Sequence, residues 1–497
     1  MVIYIDRKEV PDVENISNAV FQYLIEKAQQ EAVRYNKLYN EYLGREKTTK
    51  VTKDEVKVNV NYGKYVVDIV RGFFLGEPVK YDNNEKSDDV TAYTKGTEVK
   101  VNKKGKLVKH EWDKIEGKEL DISPIMNAYD NQTISKVDSK IGKYLGIFGT
   151  AQELLYASDD TVPVPKSAVI LPQNCILVQD NSIEHRDLFF MTYESRERVN
   201  KTKYYAVTVY TDQNEKYYES TDLTTFMFTP YEPNPHYFGE VPCVNYDNDD
   251  ERQGDLEQIV PLSEAYSQLM SDRLTDKHKF IDAILAVYGF QLVGDDESGS
   301  EAISDLKENK LVDGIPTDGR IEYIQKVFDE TSVKVLGDDL VRDLHKISMT
   351  IDMSDEAFSG NITGVALNMK FMPMNTLAKN KIRNMDEGLK KRFRLYNNWL
   401  KTNGAMSVNV PEGDIDVVFT IDMPQNLAET ADIIDKLKDR VDEQTLLALL
   451  PFVKDPAEMV KLVEEKKKEN QKQFLDSFGN NPPNVEDDNH NKDGEEE

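Results

Sequence analysis

Apolar positions along the N-terminal part of the chain recur with a helical period. Ile16, Val20, Leu24, Tyr35, Leu38 and Tyr42 share one face, which predicts a helix from Ile16 to Leu43 stopped by Gly44. Tyr62, Val66, Ile69, Val70 and Phe73 predict a second, from Val60 to Leu75, ended by Gly76 and Pro78. Lys47–Asn59 and Asp82–Gly117 are polar, and the helical period returns from Pro124 to Tyr156. The period then falls to two. Val162–Leu171, Leu188–Tyr193, Tyr204–Thr211, Lys216–Ser220 and Thr224–Pro230 read as strands, with a hairpin turn at Asp212-Gln213-Asn214. Pro242–Asp255, rich in Asn, Asp and Gly, reads as a loop. Leu256–Ala283 and Ser332–Ile351 read as helices flanking a small βαβ-like insert: strands Ile284–Val293 and Ile321–Phe328 around a short helix, Ala302–Lys310. An acidic, small-residue segment, Asp352–Gly364, leads into a long helix from Val365 to Lys401. Pro373 lies inside that helix and lacks a backbone donor, which predicts a kink near Lys370–Pro373. Ile415–Ile421 reads as a strand, and Leu427–Asn470 as short amphipathic helices split by Pro451 and Pro456. The end, from Gly479, reads as a disordered acidic tail. Strands and helices are grouped rather than alternating, so the fold class is α+β.

The 497 residues give a prior of about three domains. A charged fraction of 31% against 39% hydrophobic is polar for a compact globule, as expected of long solvated helices or of surfaces buried only on assembly. The net charge of −28 argues against a tight DNA binder, which neutralises phosphates with Lys and Arg. It fits a plain acidic protein first, and a surface that repels phosphate second. Cys175 and Cys243 lack CxxC spacing and are expected as buried free thiols. The start, MVIYIDRKEVPD, carries no apolar run long enough for a signal peptide, and Phe280–Gly294 is too short and too polar for a membrane span; both point to a cytoplasm-like compartment.

Catalytic patterns are missing from the sequence. It holds neither a GxxxxGK[ST] phosphate loop nor a GxGxxG turn. His110, His185, His236, His278, His345 and His490 are scattered, with no two at metal-ligand spacing, and each reads as a solvated or satisfied histidine. Asp352, Asp355 and Glu356 form an exposed acidic loop rather than a carboxylate pair with a completed site. Asp295-Asp296-Glu297 lacks the spacing of a calcium loop. No cofactor is implied.

Three blocks, in order, carry a resemblance. The first is Asn61-Tyr62-Gly63-Lys64 with Val67-Asp68 and Gly72-Phe73-Phe74-Leu75-Gly76-Glu77-Pro78-Val79. The second is His236-Tyr237-Phe238-Gly239-Glu240-Val241-Pro242 with Asn248-Asp249-Asp250-Glu251, Gly254-Asp255-Leu256-Glu257, Tyr266 and Ser271-Asp272. The third is DMSDEAFSGNITGVAL, from Asp352. Together they resemble the portal proteins of long-tailed phages that infect Gram-positive bacteria, over most of the chain.

The resemblance implies a portal fold: an α+β wing (1–255), a two-helix stem (256–283 and 332–351), a small α/β clip (284–331), a tunnel loop (352–364), a long kinked wing helix (365–414) and a helical crown (415–478), before the acidic tail (479–497). It implies a dodecameric ring at one capsid vertex. Double-stranded DNA would be packaged through it by the terminase large subunit, and ejected through it later. Further implied partners are the head–tail adaptor and the major capsid and scaffolding proteins, with no membrane. The location would be the virion, and the host cytoplasm before assembly. The DNA-facing loop would be Asp352, Met353, Ser354, Asp355, Glu356, Ala357, Phe358, Ser359, Gly360, Asn361, Ile362 and Thr363. The clip turn Asp295, Asp296, Glu297, Ser298, Gly299 and Ser300 would face the motor or the adaptor. A non-channel structural or scaffold protein built of long helices is the alternative, and an enzyme with an unrecognised site the third reading.

Overall fold

The first helix, α1 (Asn18–Leu43), starts where Ser17 caps it, its hydroxyl accepting from the Val20 amide, and ends at Gly44 in the left-handed region (φ 64°). It buries Val20, Phe21, Leu24, Tyr35, Leu38 and Tyr42, with Phe21 against Tyr218 and Phe228. Asn61 ties it to α2 (Tyr62–Leu75): its amide donates to Tyr42 O and its Oδ1 caps Lys64 N. These are the two helices the periodicity predicts.

In a computed structural model the chain is described at residues 1–45, 56–83, 122–220, 227–280, 284–289, 316–324, 330–353, 364–404, 415–421, 427–438, 440–447 and, in part, 449–467. It divides into two units: Met1–Phe358 with Lys370–Asp422, and Ser359–Met369 with Met423–Glu497.

In the larger unit, β1 (Val2–Ile5), β2 (Lys80–Asn83), α3 (Ser123–Gln132) and α4 (Ile134–Phe148) precede β3 (Thr150–Ala157). Then come β4 (Pro165–Ile170), β5 (Cys175–Asp180), β6 (Asp187–Glu197), β7 (Lys203–Tyr210), β8 (Asn214–Ser220), β9 (Phe228–Pro230), β10 (Asn234–Pro235) and β11 (Cys243–Asp247). One sheet has the order β1-β5-β6-β7-β8-β10, with β9 also on β8; β1 is parallel to β5 and the other pairs are antiparallel. A second has the order β11-β3-β4. Leu154, Cys175, Leu177, Phe190, Val241 and Cys243 pack between the two sheets. Both thiols are buried and unbridged, and burial raises their pKa values.

Three expectations are corrected. Thr150–Ala157 is a strand, not the end of a helix; its first six residues are buried whichever face they point to, so no period-two signal survives. Cys243–Asp247, read as loop, is β11. Its polar residues are spent on a network in which Thr150 Oγ1 reaches Asp247 Oδ1 (2.9 Å) and Gln152 Nε2 reaches Asn245 Oδ1 (2.7 Å). The insert after the next helix is not a parallel crossover: β12 (Ile284–Tyr288) and β13 (Arg320–Ile324) pair antiparallel, Ile284 opposite Ile324.

The remaining helices of this unit are α5 (Asp255–Phe280), α6 (Glu330–Ile347) and most of α7 (Gly364–Thr402), which runs unbroken through Pro373. β14 (Ile415–Val418) pairs with β2. In the smaller unit, α8 (Leu427–Leu437) is followed by α9 (Glu443–Leu447), where Asp442 accepts from the Thr445 amide.

Candidate channel and assembly site

Helices α5 and α6 form an antiparallel hairpin bridged at its far end by β12 and β13. Arg273 and Lys277 of α5 meet Glu330 at the start of α6 (2.5 and 2.8 Å), which holds the Glu330 carboxyl below its usual range. Gly337 packs against Tyr266, Leu269 and Met270. At 1.5 Å per residue, α5 is about 39 Å long and α6 about 27 Å.

A second face of α5 carries Ser263, Ser267, Ser271 and Thr275, four residues apart and therefore on one line. The extended segment 56–60 lies along it. The amides of Val56, Val58 and Val60 donate to Thr275, Ser271 and Ser267 (3.0, 3.0 and 3.1 Å), and the hydroxyls return bonds to the carbonyls of the same three valines. The match is geometric: four helical residues rise about 6 Å, and two extended residues about 6.6 Å. The helix thus satisfies one edge of a strand with side-chain hydroxyls.

Helix α6 ends at the root of the acidic loop. Met349 takes the left-handed conformation (φ 55°), and the amides of Met349 and Thr350 close back onto Lys346 O and His345 O. Glycine usually holds that position, so methionine there carries strain. His345 Nδ1 lies 3.2 Å from Thr350 Oγ1, with its ring edge-on to Tyr62 and Tyr65. Burial lowers its pKa, and Asp352 opposes that shift. Burial also pushes Tyr62 up to about 12. The Met353 backbone is within hydrogen-bonding reach of the Tyr65 hydroxyl. The loop is therefore anchored to α2 as far as Met353.

Helix α7 is a basic rod in an acidic chain, with nine Lys and Arg against two acids (9 − 2 = +7) where the whole chain is −28. Its cations gather carboxylates from distant segments. Lys381 pairs with Asp255 at the start of α5 (2.8 Å) and contacts Asn248. Lys391 pairs with Asp187, and Arg394 with Glu240. Arg392 is fully buried. Its Nη1 meets Asp138 Oδ1 (2.7 Å) and Glu153 Oε1 (3.3 Å), and its Nη2 donates to the Tyr81 hydroxyl (2.7 Å). Glu153 also accepts from the Tyr246 hydroxyl (2.6 Å). Two carboxylates thus face one guanidinium, and burial raises the Asp138 pKa. A cleft of about 1070 Å³ opens beside α7. Its five Arg and Lys side chains, Arg186, Arg252, Lys390, Lys391 and Arg394, are all paired with carboxylates, so it is no ready anion site. Among the described residues no group of His, Cys, Asp and Glu is arranged to hold a metal ion, and no helix is long and apolar enough to cross a membrane.

Comparison with known proteins gives this geometry its context. The family model described as "Phage portal protein, SPP1 Gp6-like" matches residues 22–473, from within α1 to beyond α9 and through the whole stem-like hairpin. The chain belongs to that portal family. It is 25% identical over 340 residues to the portal protein of Bacillus phage SPP1, covering 64% of this chain and 66% of the relative. It is 25% identical over 250 residues to the portal protein of Clostridium phage phiCD119, covering 49% and 52%. In both, the matched stretch spans less than two thirds of the relative's length. A solved structure, the neck of an empty GTA particle computed with C6 symmetry, is similar with a TM-score of 0.43 at 10% identity, over 79% of this chain and 90% of that one. At that score the likeness carries no argument about this chain.

The residues expected to face DNA in a portal are placed in part. Asp352 is half-buried and Met353 exposed; residues 354–363 lie outside the described residues, as does the clip turn, 295–300. Pro373 is exposed on α7, and nearby the Thr376 hydroxyl donates to Met372 O. His236 and His345 are satisfied core histidines, as their scattered spacing implied. The Arg392 cluster went unseen in the sequence, because its partners lie 254 and 239 residues away. The hydroxyl line on α5 had a visible signal, Ser-x₃-Ser-x₃-Ser-x₃-Thr.

Proposed function

We propose that the chain is the subunit of a portal ring, the head–tail connector at one capsid vertex, through which double-stranded DNA enters under the terminase and later leaves. The family match over residues 22–473 carries this reading, since it spans both helices of the hairpin and the loop after them. In this reading α5 and α6 are the stem, β12 and β13 belong to the clip, and the segment 352–363 faces the DNA. The host cytoplasm before assembly and the dodecameric count belong to the same proposal. So does the absence of enzymatic turnover: the motor's ATPase would be a separate protein.

Negative-stain microscopy of the purified protein is the direct test. Rings with an axial hole are the expected result; monomers or rods would favour a non-channel scaffold and overturn the portal reading. The loop has its own test. It carries three carboxylates and no Lys or Arg, so in a ring it would form collars of like charge that a moving duplex does not stick to. Asp355→Lys with Glu356→Lys would make two of those collars phosphate-binding. Packaged DNA per prohead should fall at low salt and recover as salt rises, because phosphate contacts weaken steeply with ionic strength. Normal packaging at every salt concentration would remove the loop from the DNA path.

A further inference from the structure

Helices α2 and α4 pack antiparallel, with Gly142 against Arg71 and Leu75, and Gly146 against Val67. Between them they carry Lys64, Asp68 and Arg71 on α2, and Lys136, Asp138, Lys140 and Lys143 on α4. Asp138 is buried on Arg392, so the outer surface of the pair holds five cations and one acid, in a chain of net charge −28. Lys64, Lys136 and Lys140 are exposed, and Arg71 and Lys143 half-exposed. Among the described residues, Arg71 alone of the five meets a carboxylate: Asp68, at 3.3 Å, which also accepts from the Tyr42 hydroxyl. Lys140 Nζ donates to Val169 O (2.9 Å), a partner without net charge, and the Lys143 ammonium stands 4.9 Å from the centre of the Tyr42 ring. Burial lowers the Lys143 pKa, and Arg71, Lys140 and Lys64 lower it further, against Asp68. The cations therefore crowd one another with too little negative charge between them. At one end Lys136 lines a hollow with Glu77, just beyond α2. From Lys64 to that end the ridge is about 18 Å long, at 1.5 Å per residue.

We propose that this ridge is a second contact for the phosphate backbone of double-stranded DNA, apart from the loop that follows α6. The choice of DNA as the polyanion rests on the portal reading above; the local excess of positive charge does not. A duplex carries about one charge per 1.7 Å of its axis, so ~18 Å of it presents about ten phosphates, roughly half of them to one side, enough for five cations. A protein partner fits the surface less well. Protein interfaces centre on apolar and aromatic side chains, and among the described residues neither α2 nor α4 exposes a large hydrophobic one. Lysines are flexible point charges that hold phosphate without reading sequence. The contact is weak, salt-sensitive and blind to sequence, because five cations stand against an acidic remainder.

Charge reversal tests the contact on the full chain, by fluorescence anisotropy of a labelled duplex of arbitrary sequence across a salt series. Lys64→Glu/Lys136→Glu/Lys140→Glu changes the three exposed lysines of the ridge and leaves Lys143 on its ring. Lys203→Glu/Lys334→Glu/Lys401→Glu makes the same change of charge at exposed lysines elsewhere and serves as the control. Circular dichroism checks that both fold. Wild type should bind with an affinity that falls linearly in log salt. The ridge variant should bind at least about tenfold more weakly at low salt, with a slope smaller by about two to three. The control should stay within about twofold of wild type. A ridge variant that binds like wild type, or a control that loses as much, would overturn the contact. Displacement of the duplex by polyglutamate at equal charge concentration would also overturn it, and give the ridge to an acidic protein segment instead. Wild-type rings that bind no duplex at any salt would overturn the contact and leave the portal reading intact, since microscopy tests that reading separately.

Discussion

Arg392→Met should destabilise the larger unit by about 3–5 kcal/mol, the cost of leaving buried charge without its partner. The side chain is 0% exposed, so no water replaces it. Asp138 and Glu153 would face each other across an apolar gap, and the Tyr81 hydroxyl would lose its donor. Asp138→Asn should cost far less, because one carboxylate, Glu153, remains for the guanidinium and the amide oxygen still accepts from Nη1. The pH dependence follows from the direction of the Asp138 shift. Its folded pKa is raised above the ordinary 3.8, so the folded state holds that proton more tightly than the unfolded chain. The group costs nothing at pH values below the ordinary one. Its penalty grows as pH climbs through the interval up to the raised value. Asp138→Asn removes the penalty, so its stability relative to wild type should improve from acid to neutral pH. Urea melts of the three proteins across a pH series measure both effects. If Arg392→Met melts with wild type, α7 is not held by this cluster.

How much of this was legible depends on sequence distance. Helices α1 and α2 show in the periodicity because each buries one face and carries its own caps, Ser17 with Gly44 and Asn61. The long α7 shows for the same reason, but its role does not. Lys381, Arg392 and Arg394 acquire partners only when Asp255, Asp138, Glu153 and Glu240, far away in the sequence, are folded against them. β3 is misread because Ala151, Gln152, Glu153, Leu154 and Leu155 are acceptable in a helix, and only burial on both faces, a tertiary fact, makes them a strand. β5 is missed beside it on the same ground, its first four residues being buried without alternation. The three blocks of resemblance work differently. They report an architecture through residues whose local signals are weak, and they carry no signal of the cluster that forms around Arg392.

Gly149→Ala should be among the most damaging single-methyl changes in the chain. Gly149 ends α4 at φ 78°, where its amide closes onto Leu145 O, and the strand β3 begins at the next residue. A Cβ there would stand 2.0 Å from Arg252 O and 2.3 Å from the Arg252 carbonyl carbon. Those are backbone atoms, so no side-chain rotation relieves the overlap. Gly254 makes the reciprocal approach, with its own absent Cβ 2.5 Å from Ile147 O, and the Asn248 amide donates to Gly149 O. The α4–β3 corner and the segment leading into α5 are therefore in backbone contact, and one methyl must move the base of the hairpin or the corner itself. Left-handed strain alone accounts for about 1–2 kcal/mol. The clash should bring the total to about 4 kcal/mol or more, the range reserved for changes with no local relief. Gly239→Ala separates the two contributions. Gly239 has a similar φ of 73°, and a methyl there would meet nothing within 4 Å, so it carries the strain without the overlap. Thermal melts of both variants should place Gly149→Ala well below Gly239→Ala. Because the displaced corner carries the start of α5, Gly149→Ala should also lower the ring yield at a temperature where its monomer is still folded, and Gly239→Ala should not. Equal melting of the two variants would mean that the corner yields without cost, and that the base of the hairpin is not fixed by this backbone contact.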